Sequence, residues 1–462
     1  MSDTWRGLYA SGLLGRFIVL CVGIWLHAAD TLVTATIAPS IVDDIGGVAY
    51  INWTITLYEV GAIVAGAATP MLSRRIGVRR MLMLAALVYG GGCIIGAVAP
   101  SMRVLLAGRL AQGAGGGMLL SLCYLAIQQW FAQAWWNRLF GIVAFIWGAG
   151  SLLGPLIGGI FAGLHAWRMT FVSFAAQAAV LWILASLWLP AHTPSPPQIT
   201  RWPVLPLLML SAATLLIAES SVASALTFSI LGSVMGAGLL YLAARLDRRA
   251  GAHLFPVHVL NFRHPVGAGL LMVFALSAAT TGFWAYGPLI LKILFGTQPL
   301  ISGYILAGEA VAWSLATLAV SKAPLSADRW LIRVGVSLVA LGAAGFALVV
   351  PAGTLPGMVL CALLQGAGFG LCWPSIVHRM ARFSDEAERP LAVTSPDTMQ
   401  RIGYAVGAAA VGIAANLSGL ADGISIAAVK AAAFWVFAAF VPVLILALIL
   451  AWTFTREPAA PP

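Results

Sequence analysis

Four ionisable side chains stand where water is scarce: Asp30, Glu59, Arg109 and Glu309 each lie well inside a long apolar run. A charge at bilayer depth costs roughly 2.5–3.5 kcal/mol on insertion scales unless it is paired or solvated, so each of these residues is a functional candidate. The chemistry open to them is narrow. A carboxylate there can take up and release a proton, or hold a cation; an arginine can pair with it. Beside an arginine a carboxylate is favoured in its ionised form, and burial disfavours that form. An acid moved between the two environments therefore binds and releases a proton. Helical spacing gives these charges polar company. His27, Asp30, Thr31 and Thr34 share one face, as do Asn52, Thr56 and Glu59, and Glu309, Trp313 and Thr317. A polar face on such a helix must look at water or at another polar face. His27 is one turn from Asp30, close enough to tune that acid, but is read instead as a neutral, hydrogen-bonded histidine.

The elements that position these residues follow from composition. The chain has 462 residues, of which 25 are Lys or Arg and 15 are Asp or Glu, 9% charged in all. An ordinary soluble domain carries about 25%. Hydrophobic residues make up 61% and the mean hydropathy is +0.96. A water-soluble globule and a disordered chain are both excluded, which leaves an all-α integral membrane protein. Apolar runs predict fourteen transmembrane helices, over 17–41, 51–72, 81–99, 104–127, 139–163, 169–189, 203–219, 224–244, 266–295, 302–321, 333–350, 357–379, 392–417 and 429–453. The seventh is the weakest, being short and ending at Glu219. Lys292, Asp397 and Arg401 fall toward expected helix ends, where long side chains snorkel.

The formal charge of +10 with a pI near 9.8 would suggest nucleic acid in a soluble protein. Here it reports topology. With the N-terminus in the cytoplasm, Arg103, Arg168 and Lys430 face outward, Arg109, Lys292 and Arg401 lie within spans, and every other Lys and Arg faces inward. Both termini are expected inside, at a bacterial inner membrane. The five cysteines all lie in apolar runs and form no C-x-x-C pair, so neither a disulfide framework nor a metal site is expected. No H-E-x-x-H, G-x-S-x-G or P-loop is present, which argues against an integral-membrane enzyme.

The chain also repeats itself. Leu110-Ala111-Gln112-Gly113-Ala114-Gly115-Gly116-Gly117 in the fourth helix matches Leu363-Leu364-Gln365-Gly366-Ala367-Gly368-Phe369-Gly370 in the twelfth. Each is the fourth helix of its six. This predicts an N-terminal six-helix bundle over 1–190, a linker with two additional helices over 191–265, and a C-terminal six-helix bundle over 266–462. Repeated halves are a mark of secondary transporters.

Four stretches then carry a family resemblance. Helix one reads Asp30-Thr31-Leu32-Val33-Thr34-Ala35-Thr36-Ile37-Ala38-Pro39, similar to D-x-T-I-V-N-V-A-L-P. Arg109-Leu110-Ala111-Gln112-Gly113-Ala114-Gly115 matches R-x-x-Q-G-x-G. Gly150-Ser151-Leu152-Leu153-Gly154-Pro155-Leu156-Ile157-Gly158-Gly159 matches G-x-x-x-G-P-x-x-G-G. The loop after helix two reads Leu72-Ser73-Arg74-Arg75-Ile76-Gly77-Val78-Arg79-Arg80, and Gln400-Arg401-Ile402-Gly403 is a weaker echo. The chain resembles the major facilitator superfamily, and within it the fourteen-helix drug:proton antiporters.

That resemblance implies a proton-coupled exporter of lipophilic, cationic small molecules that works by alternating access. It places Asp30 near Arg109 and points to proton coupling through that pair; Glu59 and Glu309, candidates by their depth, could carry a second proton, bind a cationic substrate or hydrogen-bond structurally. It implies gating and helix packing at Gly77, Arg79, Arg80, Gly113, Gly150, Gly154, Pro155 and Gly158. The loop departs from the family, with Arg74 where an acid is usual; Asp385, Glu386 and Glu388 are the acids available to replace it. Aromatic residues beside the polar faces, Trp25, Trp53, Tyr58, Trp284, Tyr286, Trp313 and Trp373, are candidates to stack on a flat cation, with Thr34 beside them. No cofactor is expected beyond the proton motive force. Expected partners are a small-molecule substrate, protons and membrane lipid, with no nucleic acid, and a monomer is expected. Export of a dedicated metabolite or lipid-like compound would use the same machinery.

Overall fold

The computed structural model describes residues 12–190, 204–220, 226–248, 255–320, 323–385, 388–420 and 425–456. Among them the chain is helical, with no strand. Fifteen α-helices appear: α1 Leu13–Ile45, α2 Trp53–Ile76, α3 Val78–Ala97, α4 Met102–Trp130, α5 Gln133–Gly163, α6 Trp167–Trp188, α7 Val204–Ser220, α8 Leu226–Asp247, α9 Pro265–Phe295, α10 Pro299–Val320, α11 Asp328–Val349, α12 Leu355–Arg382, α13 Arg389–Leu417, α14 Ile426–Ala438 and α15 Val441–Thr455. All fourteen expected spans are thus helical. The last is broken into α14 and α15, where Phe440 starts a new helix and Pro442, lacking an N–H, sits in its first turn.

Twelve segments are long and apolar enough to cross a membrane, α14 and α15 counting together. The two expected spans outside that set fail for different reasons. The seventh, α7, has only 17 residues. α13 has 29 residues but interrupts its apolar sequence with Asp397, Gln400 and Arg401.

The chain forms two compact units. One comprises 1–47 and 57–200; the other comprises 48–56 and 201–462. In the first, α1 packs on α5, α4 and α6, and α3 packs on α4 and α6. In the second, α9 packs on α13 and α15, α12 lies against α10 and α11, and α7 and α8 pair, with α7 against α13. Large apolar side chains remain exposed on many helices, among them Leu187, Leu318, Leu341 and Leu348, as lipid-facing surfaces require.

The helix ends are tied inside each unit. α2 and α3 are joined by the single residue Gly77, at φ 88°, a left-handed backbone that a side chain would strain. Arg79 and Arg80, expected in a loop, occupy the first turn of α3, and Arg79 Nη2 donates to Ser186 O at the end of α6 (2.5 Å). The Arg74 side chain lies outside the described residues. At the other end of the first unit, Arg168 pairs with Asp44 and donates to Ala99 O (3.0 Å), while Trp167 Nε1 donates to Asp44 Oδ2 (3.1 Å). In the second unit, Arg379 Nη2 donates to the carbonyls of Phe454 (3.0 Å) and Arg456 (3.2 Å), and Arg333 Nε donates to Thr455 Oγ1 (2.9 Å). Of the acids after α12, Glu388 accepts a hydrogen bond from the Val257 N–H (3.4 Å), and Glu386 lies outside the described residues.

Candidate functional site

In the first unit the fully buried charges meet. Asp30 falls near the middle of α1, and Arg109 is eight residues into α4; both side chains are 2% exposed. Arg109 Nη1 donates to Asp30 Oδ2 (2.6 Å) and to Gln112 Oε1 (3.1 Å). Gln112 Nε2 donates in turn to Asp30 Oδ1 (3.3 Å) and to Cys93 Sγ (3.1 Å). Both carboxylate oxygens are therefore engaged, one by a charge and one by an amide, which offsets the cost of burying the pair. Gln112, Gly113 and Arg109 belong to one motif because one turn of α4 must present guanidinium, amide and bare backbone together.

An aromatic layer backs this pair. The Arg109 guanidinium lies over the Tyr58 ring (4.4 Å to the centroid). The Tyr58 hydroxyl and His27 Nδ1 share a hydrogen at 2.8 Å, and His27 stacks edge-on against Trp147. Tyr89 donates its hydroxyl hydrogen to Leu26 O (3.1 Å). A chain of contacts thus runs Asp30, Arg109, Tyr58, His27, all buried. Gln112, Cys93 and Tyr89 are the members that sequence reasoning left out. The repeated glutamine was the available signal for the first, while the other two carried none.

The second unit holds Glu309 halfway along α10, 2% exposed. Gln365 Nε2 donates to Glu309 Oε1 (2.7 Å), and the Trp284 indole faces the same carboxylate. Glu309 Oε2 and Gln365 Oε1 are buried without a hydrogen-bond partner among the described residues. One turn further along α10, Trp313 stacks on Phe369 (4.8 Å) and leans on Trp373 (5.7 Å).

The remaining candidates are dispersed. Thr34 is one turn beyond Asp30, buried, with Oγ1 unpartnered among the described residues. Glu59 is buried in α2 beside Tyr58 in sequence. Trp25 donates to Gln177 Oε1 on α6 (2.8 Å), and Trp53 packs against Ile217 and Ala409. Tyr286 is buried in α9 with its hydroxyl unpartnered among the described residues. The glycine face of α5 lies against α1: a Cβ at Gly150, Gly154 or Gly158 would press on Ala28, Ala29 O and Val33 O, each within about 3 Å. Pro155 is buried on that same helix. Lys292 sits in the last turn of α9, as expected, whereas Arg401 stands twelve residues inside α13 because that helix begins at Arg389.

The repeat reappears as geometry. A Cβ on Gly113 would overlap the Tyr58 carbonyl, and one on Gly366 the Glu309 carbonyl. Gly117 meets Ala62 O as Gly370 meets Trp313 O. Gly92 meets Gln112 N as Gly342 meets Gln365 N. Gly154 approaches Ala29 O as Gly407 approaches Ala278 O. These pairs align Tyr58 with Glu309, Gln112 with Gln365, Arg109 with Ala362 and Asp30 with Ala279.

Membrane-length helices that pack glycine against backbone around buried, hydrogen-bonded charges define an integral membrane protein built from repeated helical units. The chain belongs to the Major Facilitator Superfamily, whose family model matches residues 20–352. It is a transporter of that superfamily. It is 32% identical over 436 residues to the probable multidrug-efflux transporter Rv1634 of Mycobacterium tuberculosis, covering 90% of each chain. It is 25% identical over 371 residues to a multidrug resistance protein B homolog of the same organism, covering 78% of this chain and 68% of that one. Its fold is that of a nucleoside transporter, NupG (TM-score 0.66, 12% identity, 96% and 99% of the two chains), and of a D-xylose–proton symporter (TM-score 0.66, 16% identity, 96% and 98%).

Proposed function

We propose that this protein exports lipophilic cationic small molecules in exchange for protons, moving its N-terminal and C-terminal helical bundles by alternating access. The observation that carries this reading is the buried Asp30–Arg109–Gln112 cluster in the first unit. Protonation of Asp30 removes the charge that holds Arg109, so α1 and α4 lose a strong contact and the guanidinium must find another acceptor. A proton and a cation that prefer opposite states of this contact drive each other's release, because a ligand shifts an equilibrium only by its differential affinity. Glu309, with one carboxylate oxygen open and Trp284, Trp313 and Trp373 nearby, suits the cation. The relative at 32% identity, a probable multidrug-efflux transporter, supports drug export. The basic residues placed inward orient the chain with both termini in the cytoplasm.

The test is transport in proteoliposomes with an imposed pH gradient. The expected result is movement of ethidium against its own gradient, with Asp30→Asn uncoupled from the proton. An Asp30→Asn variant that keeps the unmodified protein's pH dependence would remove the proton assignment. Movement of a neutral metabolite, with no lipophilic cation carried, would replace the substrate class and leave the coupling to be judged on Asp30 alone.

A further inference from the structure

α13 carries a polar stripe that the buried clusters do not use. Asp397, Gln400, Arg401 and Tyr404 fall at i, i+3, i+4 and i+7, so they share one face. That face is open at Asp397, whose side chain is 58% exposed; the Arg401 side chain is 15% exposed, and Gln400 and Tyr404 are half-buried. The opposite face is packed, with Ala392, Ser395, Met399, Ile402 and Ala405 buried. Arg401 Nε donates to Asp397 Oδ2 (3.1 Å), a single contact through Nε rather than a two-pronged one. Gln400 Nε2 is buried without a hydrogen-bond partner among the described residues.

Depth makes this arrangement informative. α13 has 29 residues, so it is about 44 Å long, against a hydrocarbon core of about 30 Å. If centred it projects about 7 Å at each end. Asp397 then lies roughly 5 Å inside the core, Arg401 roughly 11 Å and Tyr404 near the midplane. A carboxylate exposed at that depth cannot face lipid without a large cost. The repeat sharpens the point. Gly403 and Gly407 correspond to Gly150 and Gly154, which sets Asp397, Gln400, Arg401 and Tyr404 opposite Ala144, Trp147, Gly148 and Ser151 of α5. The scaffold does not need charge here.

We propose that this stripe faces water within the membrane and is a binding face for the cationic group of the transported molecule, with Asp397 as its carboxylate. The binding part rests on the reading that the protein exports lipophilic cations; the wet face does not. An incoming ammonium or delocalised cation competes with Arg401 for Asp397, whose contact with Arg401 is single and whose side chain is mostly open.

The test uses single cysteines at 397, 401 and 404 in the full chain, with Met399→Cys as a packed control and Leu341→Cys as a lipid-facing one. The unmodified chain sets the background from its own five thiols. A membrane-impermeant methanethiosulfonate is added to both faces of proteoliposomes, since only a hydrated thiolate reacts. The expected result is labelling at 397, 401 and 404 at least tenfold faster than at either control. Tetraphenylphosphonium should slow labelling at 397. Labelling at the stripe no faster than at Leu341→Cys overturns the wet face. Fast labelling that tetraphenylphosphonium does not slow, in protein that demonstrably transports it, overturns the binding face. If the unmodified protein transports no cation, the functional reading and the binding face fall together, while the labelling rates still decide the wet one. Asp397→Asn, which keeps the side chain's size, guards against misfolded cysteine variants: it should raise the concentration of tetraphenylphosphonium giving half-maximal transport several-fold, and an unchanged value counts against the site.

Discussion

The two units use one scaffold for two kinds of chemistry. In both, a glycine of a Gln-Gly motif presses against the carbonyl of a neighbouring helix, at Tyr58 in the first and at Glu309 in the second. In both, the glutamine before that glycine donates to a buried carboxylate. The first unit surrounds its acid with an arginine, an amide and an aromatic face. In the second, alanines replace the acid and the arginine, and the charge moves to the tyrosine position. One carboxylate is saturated by the protein itself; the other keeps an oxygen without a partner among the described residues. Packing is shared because close helix contact tolerates only small residues. Polar chemistry is free to differ because it needs only side-chain changes on a fixed backbone.

The largest expected effect breaks the saturated cluster. Arg109→Ala leaves Asp30 buried and uncompensated, at a cost of about 3–5 kcal/mol. A clear fall in Tm of the purified protein and loss of proton-driven transport are expected. Glu309→Gln should behave oppositely. It removes a buried ionisable group and keeps an acceptor for Gln365, so Tm should hold or rise while cation transport falls. Equal destabilisation by the two variants would end the contrast between the clusters.

Next in size are Gly113→Val and Gly366→Val, which test the shared part. Each side chain would overlap a backbone carbonyl of the facing helix, and overpacking of this kind costs about 1–3 kcal/mol or more. Similar losses of Tm are expected in the two variants. A tolerated Gly366→Val beside a disruptive Gly113→Val would show that the repeat is looser than its geometry. Tyr58→Phe is milder. It keeps the ring under Arg109 but loses the hydrogen bond to His27, worth about 1 kcal/mol. A small drop in Tm with intact pairing of Asp30 and Arg109 is expected.

Much of this architecture is legible in the chain. Fourteen apolar runs give the helices because lipid forces every backbone group to bond within its own segment. The Asp30–Arg109 pairing came through the resemblance, and no spacing rule alone would have joined residues on different helices. Cys93 and Tyr89 were not legible, since a thiol and a phenol in an apolar run look like any core residue. Arg401 was misplaced by a boundary error: three residues added at the start of α13 move it from near an end toward the middle. The break between α14 and α15 was also missed, although Pro442 marks it. The chemistry in the second unit was half visible, because Glu309 stands out in its run but nothing in sequence says which of its oxygens is satisfied.

The smallest effect separates the units at their ends. In the first, the tie between the ends of α1 and α6 runs through Asp44, at the end of α1 that projects beyond the bilayer core. Hydrogen bonds from Arg168, chiefly, and from Trp167 hold its carboxyl below the ordinary carboxylate range. In the second, Arg379 donates to backbone carbonyls, which do not titrate. The sign follows from that difference. A carboxyl lowered in the folded state adds stability above its unfolded value, near 3.9, and loses it as pH falls through the folded value. The Tm gap between the unmodified protein and Arg168→Gln should therefore be open at pH 7 and close on acidification below about 4. It should be small throughout, because both side chains are more than a third exposed and salt screens them. A pH-independent gap at Arg168 would mean that its contact with Ala99 O, rather than the ion pair, holds that end of the first unit together.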